Sequence, residues 1–186
     1  MRSILESAGR ASLAGLVLGL VILAVVGVAT DMHAAGALAI RTAHVFAAMV
    51  WVGFIVFVNV VQLAALKAVS DAERPVIVRH IAGPSARVFT GAAHATLATG
   101  LILTLPIGNT VHHRPLLLAG ILGGLVMWAI VQFILSPNVT RITGKVAASD
   151  TEKAAARASI VTWARINLIL VVPVSVAMVI AAHAGL

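Results

Sequence analysis

Histidine is the main chemical resource of this 186-residue chain, which has seven histidines, no cysteine and no tyrosine. Disulfides, thiolate metal sites, iron–sulfur clusters and covalently attached c-type haem are therefore excluded. His44 and His94 fall inside long apolar stretches, and His183 closes another. Ionisable side chains in such surroundings are costly and usually functional. Arg41, Arg87 and Arg165 share these stretches, and Asn59, Gln62, Gln132 and Asn167 add polar amides. No Asp or Glu lies inside any of them. That argues against ion-coupled transport, which commonly uses a buried carboxylate. It also excludes two-carboxylate hydrolysis and H-E-x-x-H metalloprotease chemistry.

Two imidazoles from different helices in an apolar pocket are the ligand set of a membrane cytochrome b. Non-covalent haem b is thus the natural cofactor. His44, His94 and His183 are the candidate iron ligands, and their pairing stays open. His44 and His94 differ in depth by about 10 Å at 1.5 Å per residue. His44 could instead pair with His183, His112 or His113. Arg41, one turn from His44 on the same face, could meet a haem propionate or snorkel to the interface. The plainer reading of each histidine is a hydrogen bond to a neighbouring helix. Trp51 and Trp128 lie near mid-helix, where packing is their simplest role.

The elements that must position these residues follow from composition. The chain is 61% hydrophobic and only 10% charged, against roughly 45–50% and about 25% in a soluble domain. A cytosolic protein, a disordered chain and a nucleic-acid binder are excluded. Five apolar stretches, at about 13–29, 38–66, 83–107, 116–135 and 158–182, approach or exceed the roughly 20 residues that span a bilayer. Backbone groups in lipid must be satisfied internally, so these stretches predict helices. The expected fold is an all-α integral membrane protein, a five-helix bundle in one domain. The first stretch exceeds the roughly 7–15 apolar residues of a signal peptide and reads as a retained helix.

Basic residues set the orientation. Arg2 and Arg10 precede helix 1; Lys67, Arg74, Arg79 and Arg87 lie around the helix 2–3 connection; Arg141, Lys145, Lys153 and Arg157 lie around the helix 4–5 connection. The positive-inside rule then puts the N-terminus in the cytoplasm and the C-terminus in the periplasm. The net charge of +7 describes topology, with attraction to anionic lipid a secondary effect.

Local signals refine the elements. Asp71 and Glu73 favour a short interfacial helix. Pro137 should end helix 4, and Pro173 should bend helix 5, freeing a carbonyl near Ile169. Ser149 and Glu152 form a capping-box pattern ahead of helix 5. Gly83, Gly91, Ala95 and Gly100 in helix 3, and Gly120, Gly123 and Gly124 in helix 4, allow close helix approach.

The order of these residues carries a resemblance. Helix 2 reads His44, Trp51 and Gly53, then Asn59 and Gln62. Helix 4 ends in Ser136, Pro137 and Asn138, followed by Arg141 and Gly144. Helix 5 reads Arg165, Asn167, Pro173, Met178 and His183. Over helices 2 to 5 this resembles the membrane domain of the urate hydroxylase type (the PuuD, or urate oxidase N-terminal, family). It is more distantly similar to the copper-resistance D and HemJ-type protoporphyrinogen oxidase membrane proteins. The resemblance implies a haem-binding module of the bacterial inner membrane that passes electrons between quinone and a periplasmic c-type cytochrome or larger complex. It marks His44 and His183 as the family histidines, with Arg165 and Asn167 as the helix 5 signature. Full-length urate hydroxylases carry a C-terminal cytochrome c domain; with no cysteine here, a c-type partner is expected on another chain. If the chain takes part in an enzyme, it does so as an oxidoreductase component. Two alternatives stand beside this: a non-redox structural or assembly subunit, and a copper-handling membrane protein. Met32, His33, His112 and His113 speak for the last, since thioether and imidazole suit copper.

Overall fold

All five apolar stretches form helix in the computed structural model, which describes residues 6–28, 32–107 and 114–183. Among the described residues there is no strand. Helix α1 is Ala8–Val28. Helix α2 runs through Met32–Val56, a wide π-turn at Phe57–Gln62, and Leu63–Ala68. Helix α3 runs through Arg74–Ile77, a π-turn at Val78–Ala82, and Gly83–Ile107. Helix α4 runs through Arg114–Ile130, a π-turn at Val131–Leu135, and Ser136–Ile142. Helix α5 is Asp150–His183. Among the described residues, four helices are long and apolar enough to cross a membrane: Ala8–Val28, Ala34–Ala68, Pro115–Ile142 and Asp150–His183.

The chain divides into two compact units, Met1–Ala43 and His44–Leu186. In the first, α1 buries no residue. A helix that is apolar on every side and buries none of its faces suits a lipid surround.

The second unit is antiparallel. Gly120 and Gly123 of α4 face Met178 and Val174 of α5. Further along, Asn167 reaches the Met127 carbonyl, and Asn138 donates to Ser159. The α2 and α3 pair runs the same way: His44 meets Thr96 and Thr99, while Asn59 and Gln62 share a cavity with Ala82 and Ser85. Trp51, Ile55, Phe89, Ala93, Met127, Val131, Leu135, Ile160 and Val171 form the core. Between helices in lipid, packing depends on close van der Waals fit and small residues. Gly100, Gly120 and Gly123 supply it: a Cβ on Gly120 would sit 3.0 Å from Met178, and one on Gly123 would overlap Val174. Gly91 and Gly124 face nothing within 4 Å, so the small residues expected to mediate contact divide into two groups.

The helix ends lie beyond the apolar stretches because polar caps carry the backbone further. At α5, the Glu152 carboxylate accepts from the Ser149 amide at 2.7 Å and hydroxyl at 2.8 Å, and the Glu152 amide donates back to the Ser149 hydroxyl at 3.3 Å. This is the capping box expected from sequence. Those bonds, the amide's first, hold the Glu152 carboxyl below its ordinary 4.5. Ser70 holds Glu73 in the same way ahead of Arg74, here with the hydroxyl contributing most. The short helix expected near Asp71 and Glu73 is Arg74–Ile77, and Arg74 pairs with Asp71.

One expectation fails. Helix α4 does not stop at Pro137 but continues to Ile142. The π-turn just before it ends with the Ser136 amide bonded to the Val131 carbonyl, five residues back. Pro137 thereby falls in the first turn of the next segment, where no amide is needed. The true stop is Gly144, at φ 76°. The Lys145 amide bonds the Thr140 carbonyl and the Gly144 amide that of Arg141, a glycine-closed C-terminus. Pro173 lies inside a continuous α5, and its missing amide leaves the Ile169 carbonyl without a helical donor.

Candidate functional site

Each candidate histidine binds through Nδ1. In His44 that atom lies 3.0 Å from the Thr96 carbonyl and 3.1 Å from the Thr99 hydroxyl, both on α3. In His94 it lies 2.7 Å from the Thr90 carbonyl, and in His183 3.0 Å from the Val179 carbonyl. A carbonyl can only accept, so each ring carries a proton on Nδ1, and in the neutral ring the lone pair is then on Nε2. That is the tautomer a ligating imidazole adopts when a second group orients it.

The three do not converge equally. Thr96, Thr99 and Gly100, which receive His44, lie about half a turn around α3 from His94 at 100° per residue. His94 instead packs edge-on against Trp128 of α4, ring centres 5.8 Å apart. The α3 backbone thus stands between His44 and His94. In level, His94 and His183 are about equally far from His44. The Asn59–Ala164 hydrogen bond is a common reference; His44 lies about 22 Å and His183 about 28 Å from it toward the same end, at 1.5 Å per residue. All three rings present the same Nδ1-bonded arrangement, and His94 lies on the side of α3 away from His44.

Arg165 is exposed on α5, and Arg41 is exposed in the first unit. Asn167 is the opposite, 1% exposed, with Nδ2 donating to the Met127 carbonyl at 3.4 Å. His112, His113 and the His33 and Met32 side chains lie outside the described residues. Among the described residues no three His, Cys, Asp or Glu side chains gather as a metal site.

A second arrangement lies toward the other end. A partly open cavity of about 50 Å³ is lined by residues of α2, α3, α4 and α5. Each π-turn contributes to its wall: Asn59 and Gln62 from the first, Ala82 from the second, Leu135 from the third. Such widened turns recur at functional sites. Asn59 Nδ2 donates to the Ile55 carbonyl one turn back at 2.9 Å and to Ala164 of α5 at 3.1 Å. Both acceptors are carbonyls, which fixes the amide with Oδ1 turned away from them. The Asn59 Oδ1, Gln62 Oε1 and Asn167 Oδ1 atoms are all buried without a hydrogen-bond partner. All three residues line this one cavity. Gln132, grouped with them by type, does not.

The sequence marks these amides as polar residues in apolar helices but gives no hint that they share a wall. The π-turn that carries Asn59 and Gln62 contains no proline or glycine to announce it. An open apolar groove of about 430 Å³, bordered by Met49, Gly53 and Phe57, also lies in the second unit. No protein-family model, curated protein or solved structure matches this chain.

Proposed function

We propose that this chain is a multi-pass protein of the bacterial inner membrane, with five spanning helices, its N-terminus cytoplasmic and its C-terminus periplasmic. Helix α3 is the fifth span. Its 25-residue segment Gly83–Ile107 is about 37 Å long at 1.5 Å per residue, enough to cross. Its threonines, His94 and Arg87 make it the most polar of the five. The basic connections between α2 and α3 and between α4 and α5 lie at one end, as the positive-inside rule requires of a cytoplasmic face.

Within that membrane the reading is a haem b-binding electron-transfer subunit, linking quinone to a periplasmic c-type cytochrome or a larger complex. One observation carries it: His44 is held by Nδ1 on a carbonyl and a hydroxyl of the next helix, which leaves Nε2 as a pre-oriented donor for iron. His183 is the partner ligand in this reading; Arg165, beside the Asn59–Ala164 bond, lies about 20 Å along the helices from His44 at 1.5 Å per residue, too far to meet a propionate of that haem.

The alternative is a non-redox subunit of a membrane complex. It is favoured by the His44 ring itself, whose Cε1 lies 2.9 Å from the position a Gly100 Cβ would take. A ring seated that closely already serves as a helix contact. Oxidised and dithionite-reduced spectra of the purified protein, made with full haem supply, separate the two. Haem b gives a Soret band that shifts on reduction and a sharp α band. His44→Ala and His183→Ala should abolish both, and His94→Ala should keep them. A colourless protein refutes the haem reading and leaves the structural one; copper content by elemental analysis tests the copper-handling reading.

A further inference from the structure

Three orphan acceptors on residues that line one small, partly open cavity are a chemical specification. Asn167 is 1% exposed and Gln62 9%, and their oxygens, with Asn59 Oδ1, have no protein donor. Whatever occupies the cavity must bring hydrogen-bond donors. It must also be small, since the space is about 50 Å³. It must be neutral, because no charged side chain lines the wall. A metal cation there would meet three neutral oxygens and no counter-charge.

We infer that the cavity is a binding site for two ordered water molecules, which join α2 to α5. The donor count closes. Two waters carry four O–H groups. Three satisfy Asn59, Gln62 and Asn167, and the fourth bonds one water to the other. The space suffices, since one water needs roughly 10–15 Å³ on the same measure of volume. Apart from Ser85, whose hydroxyl can also meet a water, the rest of the wall, including Ile55, Phe89, Leu135 and Ile160, is apolar, so the waters have few competing partners and stay in place. The inference does not depend on haem or on redox activity.

The test uses the full chain in lipid nanodiscs, labelled with ¹⁵N at asparagine. Long-lived water cross-relaxation should appear at the Nδ2 protons of both Asn59 and Asn167. Its absence at both sites shows a dry cavity and overturns the inference. Gln62→Met, of similar length but lacking the acceptor, gives an independent reading. In a hydrated cavity it removes a partner from a bound water and lowers the thermal midpoint. In a dry cavity it removes an unpaired acceptor and raises it, and a raised midpoint overturns the inference. Exchanging sodium chloride for potassium or choline chloride should change neither readout; stabilisation by one alkali cation would assign the site to that ion instead.

Discussion

Replacing Gly100 by alanine tests how α2 and α3 are held together around His44. The new Cβ would stand 2.9 Å from His44 Cε1 and 3.3 Å from Nδ1, where carbon atoms normally sit at about 3.5–4.0 Å. The α3 backbone cannot yield easily, so the imidazole must move by roughly 0.6 Å or more to regain that spacing. Its bonds to Thr96 and Thr99 start at 3.0 and 3.1 Å, and such a shift breaks at least one of them. A lost hydrogen bond costs about 1 kcal/mol, and overpacking costs about 1–3 kcal/mol. Replacing a helical glycine by alanine returns up to about 1 kcal/mol. The net loss is about 1–3 kcal/mol, or a fall of roughly 2–12 °C in Tm for a chain of this size. Tryptophan fluorescence in detergent can follow it, since Trp51 is in the core. Gly91→Ala and Gly124→Ala, which meet nothing within 4 Å, should instead raise Tm slightly. In a His44→Ala background the cost of Gly100→Ala should vanish, because the two residues act through one contact. If Gly100→Ala stabilises the protein as Gly91→Ala does, or if its cost survives the loss of His44, the packing argument is wrong.

Other substitutions follow the same geometry. Gly123→Ala should lower Tm more than Gly120→Ala, measured in the same way, because Val174 is stiff at χ1 while the unbranched Met178 can move aside. Gly144→Ala should cost about 1–2 kcal/mol, since Gly144 sits at a positive φ of 76° that a Cβ disfavours; Gly144→Asn should recover part of the loss. Glu152 is held below 4.5 in the folded chain, so the stability it contributes is complete above its unfolded value and is lost as pH falls through its folded one. Acidification below about pH 4.5 should therefore fray the start of α5, seen as faster amide exchange near residues 150–153, and Ser149→Ala should move that fraying to higher pH.

The sequence is most informative where one physical effect dominates. Apolar stretches of sufficient length leave helix as the only choice in lipid, and each of the five is helical. Ser149 and Glu152 announce their capping box because its bonds are local. Pro137 misleads because its usual effect is overridden by a turn that begins six residues earlier, at Val131, without a sequence signature. The site is legible only by type. His44, His94 and His183 stand out as imidazoles in apolar surroundings, but which face of α3 receives His44 depends on the fit to Gly100, a contact 56 positions away. The grouping of Asn59, Gln62 and Asn167 is hidden for the same reason, since it needs three helices and their widened turns to be in place.

Those widened turns also bear on how the chain can change length. A π-turn holds one residue more than the α-turn it replaces, while the helix on either side keeps its facing. It is in effect a single-residue insertion absorbed in place. A deletion within Val131–Leu135 can close to an ordinary turn and leave the flanking surfaces aligned. The same deletion within Arg114–Ile130 would rotate one half of α4 by about 100° against the other, taking Gly120 and Gly123 off α5. The bundle thus carries three positions where its helices tolerate a change of length, and all three are at the cavity wall.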